Sequence, residues 1–303
     1  MGGVIQLSEQ GRALFTKEEL AARVKVPAIV EQDLKRIISD RLEQCGLYFR
    51  VFSRIKTAAS MAHKFELKDY GNGGGKLQDL VGVRVNLYFD DDVDICRNIM
   101  ENTFDVLGWS TSERSEEEFK PTKLNGVCRL PEYLRSEISP DTWDMYIDDT
   151  FEIQIKTMFF EGWHEIEHDM RYKGEELWKD YKGFSRYFNS ILATLELCDK
   201  SMVTLFEDLG HSLYKSGRWS DMIKSHFRLK LGEASLYPEV EQLLNEDLEQ
   251  VDNLAKRIYK TKKPVLVEQL LRRSRKIPIN VNTIIALLND SQFHDSRLTA
   301  IFK

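Results

Sequence analysis

The sequence reads as an α+β protein that ends in an all-helical extension, and three patterns carry that reading. Val83, Val85, Leu87 and Phe89 alternate with Arg84, Asn86 and Tyr88, the period of a strand with one face in a core. Phe151, Ile153 and Ile155 alternate in the same way with Glu152, Gln154 and Lys156. The segments between such strands, and nearly everything after residue 173, instead repeat their apolar residues at helical spacing.

Residues 16–46 read as helical. Thr16 and Glu19 form a capping box, and Ile29, Leu34, Ile37, Ile38 and Leu42 recur at helical spacing, with Pro27 breaking the stretch in two. A short strand over 48–53 leads into a helix from Thr57. Arg54 and Lys56 stand at that junction, and Ser60 and Lys64 follow four residues apart on one helix face. Residues 69–76 are a glycine-rich turn without the spacing of a Walker loop. Asp79 stands at the entrance of the strand over 77–89. Acids at 91–94 then open a helix running to 101. A strand follows over 104–109, then a polar exposed stretch to 118 and the segment holding Lys123, Asn125 and Gly126. After a turn at 140–142, the strand over 151–156 runs into a helix on which Phe159, Trp163, Ile166 and Met170 make an apolar stripe. His164, Glu167, His168 and Arg171 lie on roughly the opposite face. Helical spacing then covers 184–209, 219–229, 237–259, 265–273 and 281–288. Gly210 and Gly217 punctuate a boundary, so a domain over 1–209 and a helical domain over 210–303 are expected.

Composition narrows the function. Hydrophobic residues are 42% of the chain, enough for a packed core, and no apolar run approaches the ~20 residues of a membrane span. The N-terminus has neither the basic start nor the apolar centre of a signal peptide. Cys45, Cys96, Cys128 and Cys198 are far apart, as expected of free thiols in a reducing cytoplasm. A net charge of −6 argues against broad, non-specific nucleic-acid binding. Lys256, Arg257, Lys260, Lys262, Lys263, Arg272, Arg273, Arg275 and Lys276 form a basic region. It reads first as a solvated face and second as a docking surface for an acidic protein or RNA.

The stretch 151–173 is dense in ionisable groups, and two families share its letters. His164-Glu165-Ile166-Glu167-His168 matches H-E-x-x-H, the zinc-peptidase helix. The longer string Glu-Ile-Gln-Ile-Lys-Thr at 152–157, followed by Trp163, Glu165 to Asp169 and Tyr172-Lys173, resembles the synthetase domain of the RelA/SpoT family, which makes the alarmones (p)ppGpp. Three upstream blocks extend this second resemblance, in the family's order. Arg54, Lys56, Ser60 and Lys64 match R-x-K-S-x-x-S-x-x-x-K, with Thr57 in place of the first Ser. Asp79, Gly82, Arg84 and Val85 match D-x-x-G-x-R-V. Lys123, Asn125 and Gly126 match the start of the acceptor motif, but Val127 stands where the family has a base-stacking Tyr and Pro131 where it has His.

The resemblance implies a nucleotidyltransferase-like mixed sheet flanked by helices. It also implies transfer of pyrophosphate from ATP to the ribose 3′-hydroxyl of GDP or GTP, with Mg2+ as cofactor. Asp79 and Glu152 would be the catalytic, metal-holding pair. Arg54, Lys56, Ser60 and Lys64 would grip the ATP phosphates. Arg84, Lys123, Asn125, Gln154, Lys156 and His168 would face the acceptor, with Lys156 replacing the family's usual Arg. Three alternatives stay open: the same chemistry on an adenine nucleotide or a tRNA 3′ end, a nucleotide-binding pseudoenzyme, and a zinc peptidase at 164–168. The reading also admits a homo-oligomer, and a tRNA or protein partner for the C-terminal helices.

Overall fold

The computed structural model of the chain describes residues 16–68, 70, 75–111, 124–143, 146–172, 174–246, 253–273 and 278–303. It divides into two units, one of residues 1–39, 50–85 and 98–156, the other of residues 40–49, 86–97 and 157–303.

The first unit is built on a mixed five-stranded sheet in the order β1-β2-β5-β4-β3. Its strands are β1 (Phe49–Ile55), β2 (Val81–Leu87), β3 (Val106–Thr111), β4 (Leu124–Arg129) and β5 (Thr150–Thr157). Helices α1 (Lys17–Arg23), α2 (Ala28–Gln44), α3 (Ala58–Leu67), α4 (Asp92–Glu101) and α5 (Glu132–Arg135) join or flank them. The last residues of α2 and β2 and the start of α4 are counted with the second unit.

The expected local signals are present. Thr16 Oγ1 accepts from the Glu19 N–H at 3.1 Å and Glu19 answers at 2.9 Å, closing the capping box of α1. Pro27 separates α1 from α2, whose Val30, Leu34, Ile38 and Leu42 are fully buried. On β5, Phe151, Ile153 and Ile155 are buried while Glu152 and Gln154 remain half-exposed, as the alternation requires, but Lys156, the third polar position, is buried as well.

β4 was not foreseen. Its inward side reads Leu124, Gly126, Cys128, and the glycine hides the alternation. A Cβ at Gly126 would lie 2.7 Å from the ring of Trp109 and 2.9 Å from Ile153. The indole takes that space, with its N–H donating to Glu101 at 2.8 Å.

The second unit is helical beyond Thr157. It holds α6 (Met158–Ile166), a π-helical segment Glu167–Tyr172, α7 (Glu175–Lys179) and the long α8 (Lys182–Lys215). There follow α9 (Trp219–Phe227), α10 (Pro238–Glu246), α11 (Leu254–Lys260), α12 (Lys263–Leu271), α13 (Val281–Leu288) and α14 (Ser296–Ile301). Gly210 lies inside α8, and Gly217, at φ +70°, follows its end.

The apolar stripe expected beyond Phe159 is corrected. Trp163 is buried with Phe160 and Leu192, but Ile166 is 54% and Met170 67% exposed. Ile166 still belongs to α6, whose buried side runs through Phe160 and Trp163, and the change to π-helix at Glu167 adds backbone to the turn and rotates Met170 off the α-helical stripe.

The basic region is not wholly solvated either. Lys263 is buried and pairs with the fully buried Asp92 at 2.5 Å. Beside it Arg228 pairs with Asp91, and the ring of Phe89 lies 5.5 Å from each cation. Burial pushes the Asp92 carboxyl up to about 6, against the pull of Lys263, and pushes the Lys263 ammonium down.

All four cysteines are free, and burial holds the thiols of Cys45, Cys96 and Cys128 well above their ordinary range. Among the described residues no helix is long and apolar enough to cross a membrane.

Candidate active site

Three connections in the first unit, two between backbones and one from a side chain to a backbone, bring distant residues to one cleft. The Lys56 N–H donates to the Leu80 carbonyl at 2.9 Å, so the end of β1 lies beside Asp79. Leu77 bridges Ile147 in parallel, with its N–H on Tyr146 and its carbonyl receiving the Asp148 N–H at 2.9 Å. The Thr150 hydroxyl donates to the Gln78 carbonyl at 3.0 Å, which sets the start of β5, and so Glu152, near Asp79.

The result is a cleft of 290 Å³ lined by Asp79 and Glu152, by Lys64, Lys68 and Lys76, and by Tyr70, Gly75, Gln78 and Val127. The two carboxylates, 73 positions apart in the sequence (152 − 79), share it. Of the lining residues, Lys68, Tyr70, Lys76 and Gln78 escaped the sequence reading. Tyr70 and Lys76 fall in the stretch 69–76 that reads as a glycine-rich turn, Lys68 just before it, and Gln78 at the start of the strand over 77–89.

Asp79 sits at the centre of the charge balance. Its Oδ2 accepts from Lys56 Nζ at 2.8 Å and from Lys64 Nζ at 2.7 Å. Burial pushes this carboxyl up, but the hydrogen bonds and charges of the two ammonium groups outweigh it and hold it below its ordinary range. Lys64 reaches the acid from two turns into α3. That helix is capped by Thr57, whose Oγ1 accepts from the Ser60 N–H at 3.2 Å and whose hydroxyl donates to Ser60 Oγ at 2.9 Å. Thr57, which stands where the resembled motif has Ser, thus caps α3 with its own hydroxyl. Ser60 and Arg54 are exposed; Arg54 lies over Gly82, where a Cβ would stand 3.8 Å from its side chain.

The β4–β5 ladder supplies the opposite wall. Asn125 pairs with Gln154 and Val127 with Glu152, so these four side chains share one face of the sheet. Gln154 Nε2 donates to Glu152 Oε2 at 3.1 Å, which orients the carboxylate. Asn125 Oδ1 is buried without a hydrogen-bond partner among the described residues. Arg84 is half-buried on β2, and Lys156 lies deeper, 2% exposed. Lys123 lies outside the described residues, as do the polar stretch 112–118 and Phe119.

The cleft fits a hard divalent cation. Asp79 Oδ1 is buried and, among the described residues, unpartnered, a cost that a cation beside it would relieve. Glu152 offers further oxygen in the same cleft. An all-oxygen donor set beside lysines suits Mg2+ bound together with phosphate, since magnesium takes one or two carboxylates plus substrate oxygens.

His168 belongs to the second unit. It is exposed on the π-helical segment, its Nδ1 3.0 Å from Asp169 Oδ1. The zinc-peptidase arrangement needs both imidazoles on one ion. Among the described residues, the donor atoms that converge to within 4.8 Å are those of Glu161, His164 and Glu165, and His168 is not in that set. The two imidazoles stack 6.3 Å apart between centroids, across the change to π-helix at Glu167.

Residues 53–177 match the family model described as a region found in RelA / SpoT proteins. No curated protein matches the sequence. Among solved structures, the chain is similar to small alarmone synthetase 1 from Bacillus subtilis, at 20% identity over 60% of this chain and 91% of that one, with a TM-score of 0.44. It is similar to a GTP pyrophosphokinase family protein from Streptococcus pneumoniae, at 20% identity over 60% and 88%, TM-score 0.45. Small alarmone synthetase 2 from Bacillus subtilis matches at 18% identity over 62% and 94%, TM-score 0.44.

Proposed function

We propose that the chain, whose residues 53–177 match the model of a region found in RelA / SpoT proteins, is a nucleotide pyrophosphokinase that moves pyrophosphate from ATP to the ribose 3′-hydroxyl of GDP or GTP. The reading is carried by one observation: Asp79 and Glu152 line a single cleft whose other charged groups are lysines.

Each lysine ammonium has three N–H donors. Lys56 and Lys64 each spend one on Asp79 Oδ2, which leaves two apiece for phosphate oxygens without breaking the pair. Lys68, Lys76 and the exposed Arg54 extend the cationic rim. The helix that starts behind Thr57 adds backbone N–H groups of its first turn. A magnesium ion held by Asp79 and Glu152 would neutralise charge building on the transferred phosphates.

The acceptor 3′-oxygen bonds to the β-phosphorus of ATP as the α–β bridge breaks, and AMP leaves. The hydroxyl proton passes to Glu152, whose Oε2 accepts from Gln154 Nε2. Positioning and charge neutralisation carry most of such a step. Asn125 and Gln154, on the same sheet face, are placed for hydroxyl and amine groups of the acceptor.

A second reading keeps the chemistry and changes the acceptor. Val127 stands across the ladder from Glu152 and lines the cleft where the family carries a base-stacking ring. Tyr133, a candidate substitute, is 51% exposed on α5 and is not among the cleft-lining residues.

Incubation with γ-³²P-labelled ATP, Mg2+ and GDP, GTP, ADP, AMP or tRNA in separate reactions, followed by chromatography, decides between them. Label on GDP or GTP supports the first reading, and label on an adenine nucleotide or tRNA the second. No labelled product with any acceptor overturns both.

A further inference from the structure

Tyr70 is a residue that the motif match does not use. Its ring is built into the core of the first unit with Met61, Phe65, Leu77, Leu80, Tyr146 and Ile147. It meets Phe65 edge to face, at 5.9 Å between centroids and 87° between planes. Only 8% of Tyr70 is exposed, yet it lines the cleft that holds Asp79 and Glu152. Among the described residues nothing hydrogen-bonds its hydroxyl. Lys64 and Asp79 both act on that hydroxyl electrostatically, over the larger effect of burial, so it lies near their ion pair. A buried tyrosine normally finds a partner for its O–H. Here the ring is fixed by packing, while the hydroxyl is not among the buried unpartnered atoms and so stays open to solvent, on a residue that lines the cleft and feels the charges of Lys64 and Asp79.

We propose that Tyr70 is a substrate-binding residue of this site, its hydroxyl donating to a β- or γ-phosphate oxygen of the bound nucleoside triphosphate beside Lys64. This rests on the pyrophosphokinase reading above. The fixed ring makes the bond inexpensive, because no rotamer freedom is lost when the ligand enters. An O–H aimed at an anionic oxygen also makes one of the stronger hydrogen bonds.

The test is Y70F in the full chain, which keeps the packing on Phe65 and removes only the oxygen. Binding of the α,β-methylene analogue of ATP in the presence of Mg2+ should weaken about ten- to a hundredfold. KM for ATP should rise in parallel, with kcat changed less than about threefold. AMP, which lacks the β- and γ-phosphates, should bind both proteins equally, and the melting temperature should be unchanged. A purely structural tyrosine would leave the analogue's affinity untouched in Y70F, and that result overturns the proposal while the transfer reading stands. Equal weakening for AMP and the analogue also overturns it. Should the wild type bind the analogue but transfer nothing, the transfer reading fails and the affinity comparison still decides Tyr70. Should the wild type not bind the analogue, both fall.

Discussion

Asp79→Asn separates binding from turnover in a way that few other single changes here can. The substitution keeps the shape, removes one negative charge and leaves Lys56 and Lys64 beside a neutral amide. Consider first a metal-free triphosphate. A carboxylate and a phosphate charge about 6 Å apart repel by about 3 kcal/mol at an effective dielectric near 20. The open side of the cleft lets in water and salt, which brings this toward 1–2 kcal/mol. At 1.36 kcal/mol per decade, D79N should bind ATP in EDTA about tenfold tighter than wild type. With Mg2+ the order reverses for catalysis. The unpartnered Oδ1 of Asp79 is the buried oxygen best placed to hold the ion, and its loss should lower kcat by at least about a thousandfold, since a bound metal contributes several kcal/mol to such a transition state. The pH profile gives a further check. The lysines depress the Asp79 pKa, so its contribution to stability is complete above the ordinary carboxylate value and is lost as pH falls through the lower folded value. That acid-side loss should be missing in D79N. Isothermal titration with ATP in EDTA and turnover with Mg2+ are the two measurements. If D79N binds metal-free ATP more weakly than wild type, or turns over at a comparable rate, the charge balance described for the cleft is wrong.

Three further outcomes are expected. V127Y restores a ring on the sheet face opposite Glu152 and should lower KM for a guanine acceptor about tenfold through base stacking; an unchanged KM in steady-state assays would show that the base does not pass this position. G126A places a methyl 2.7 Å from Trp109 and should destabilise the protein by about 1–3 kcal/mol, with the G126A/W109A double variant less than additive in urea unfolding. K263M leaves the fully buried Asp92 unpaired and should cost about 3–5 kcal/mol at pH 8, most of it recovered in D92N/K263M. Asp92 is already raised to about 6, so its protonation favours the fold as pH falls through that value, and K263M should be milder at pH 5 than at pH 8; equal losses at both would refute the assignment of charge to Asp92.

Much of the fold was legible because its signals are local. The Thr16 capping box, the break at Pro27, the helix start at Thr57 and the alternation of Phe151, Ile153 and Ile155 on β5 each need only neighbours in sequence, and each is present. What escaped was set at a distance. β4 hid behind Gly126, whose missing side chain is explained only by an indole 17 positions upstream (126 − 109). Lys263 looked like part of a solvated basic run, and only the tertiary fold reveals Asp92 beneath it. The stripe failed at Ile166 because the buried side of α6 runs through Phe160 and Trp163, and at Met170 because periodicity presumes one helix type while the chain passes into a π-helical segment at Glu167.

The candidate site shows the same division more sharply. A resemblance of residue types and spacing named Asp79, Glu152, Lys56 and Lys64, and it assigned both lysines to phosphate. Spacing could not say that Lys56 is tied by its backbone to Leu80, nor that it shares an Asp79 oxygen with Lys64. That arrangement changes the physical argument. Two lysines free in an empty cleft would repel each other and lose much side-chain entropy on gripping a ligand. Two lysines already fixed on one carboxylate have met most of that cost during folding, and each keeps donors to spare. The second oxygen of the same carboxylate is left buried and unpartnered among the described residues, so the pair that orders the lysines also leaves one acceptor facing the place where a cation would sit. On this account the acid couples the two halves of the site, and a charge-reversing or neutral residue at position 79 should disturb phosphate affinity and metal dependence in opposite directions.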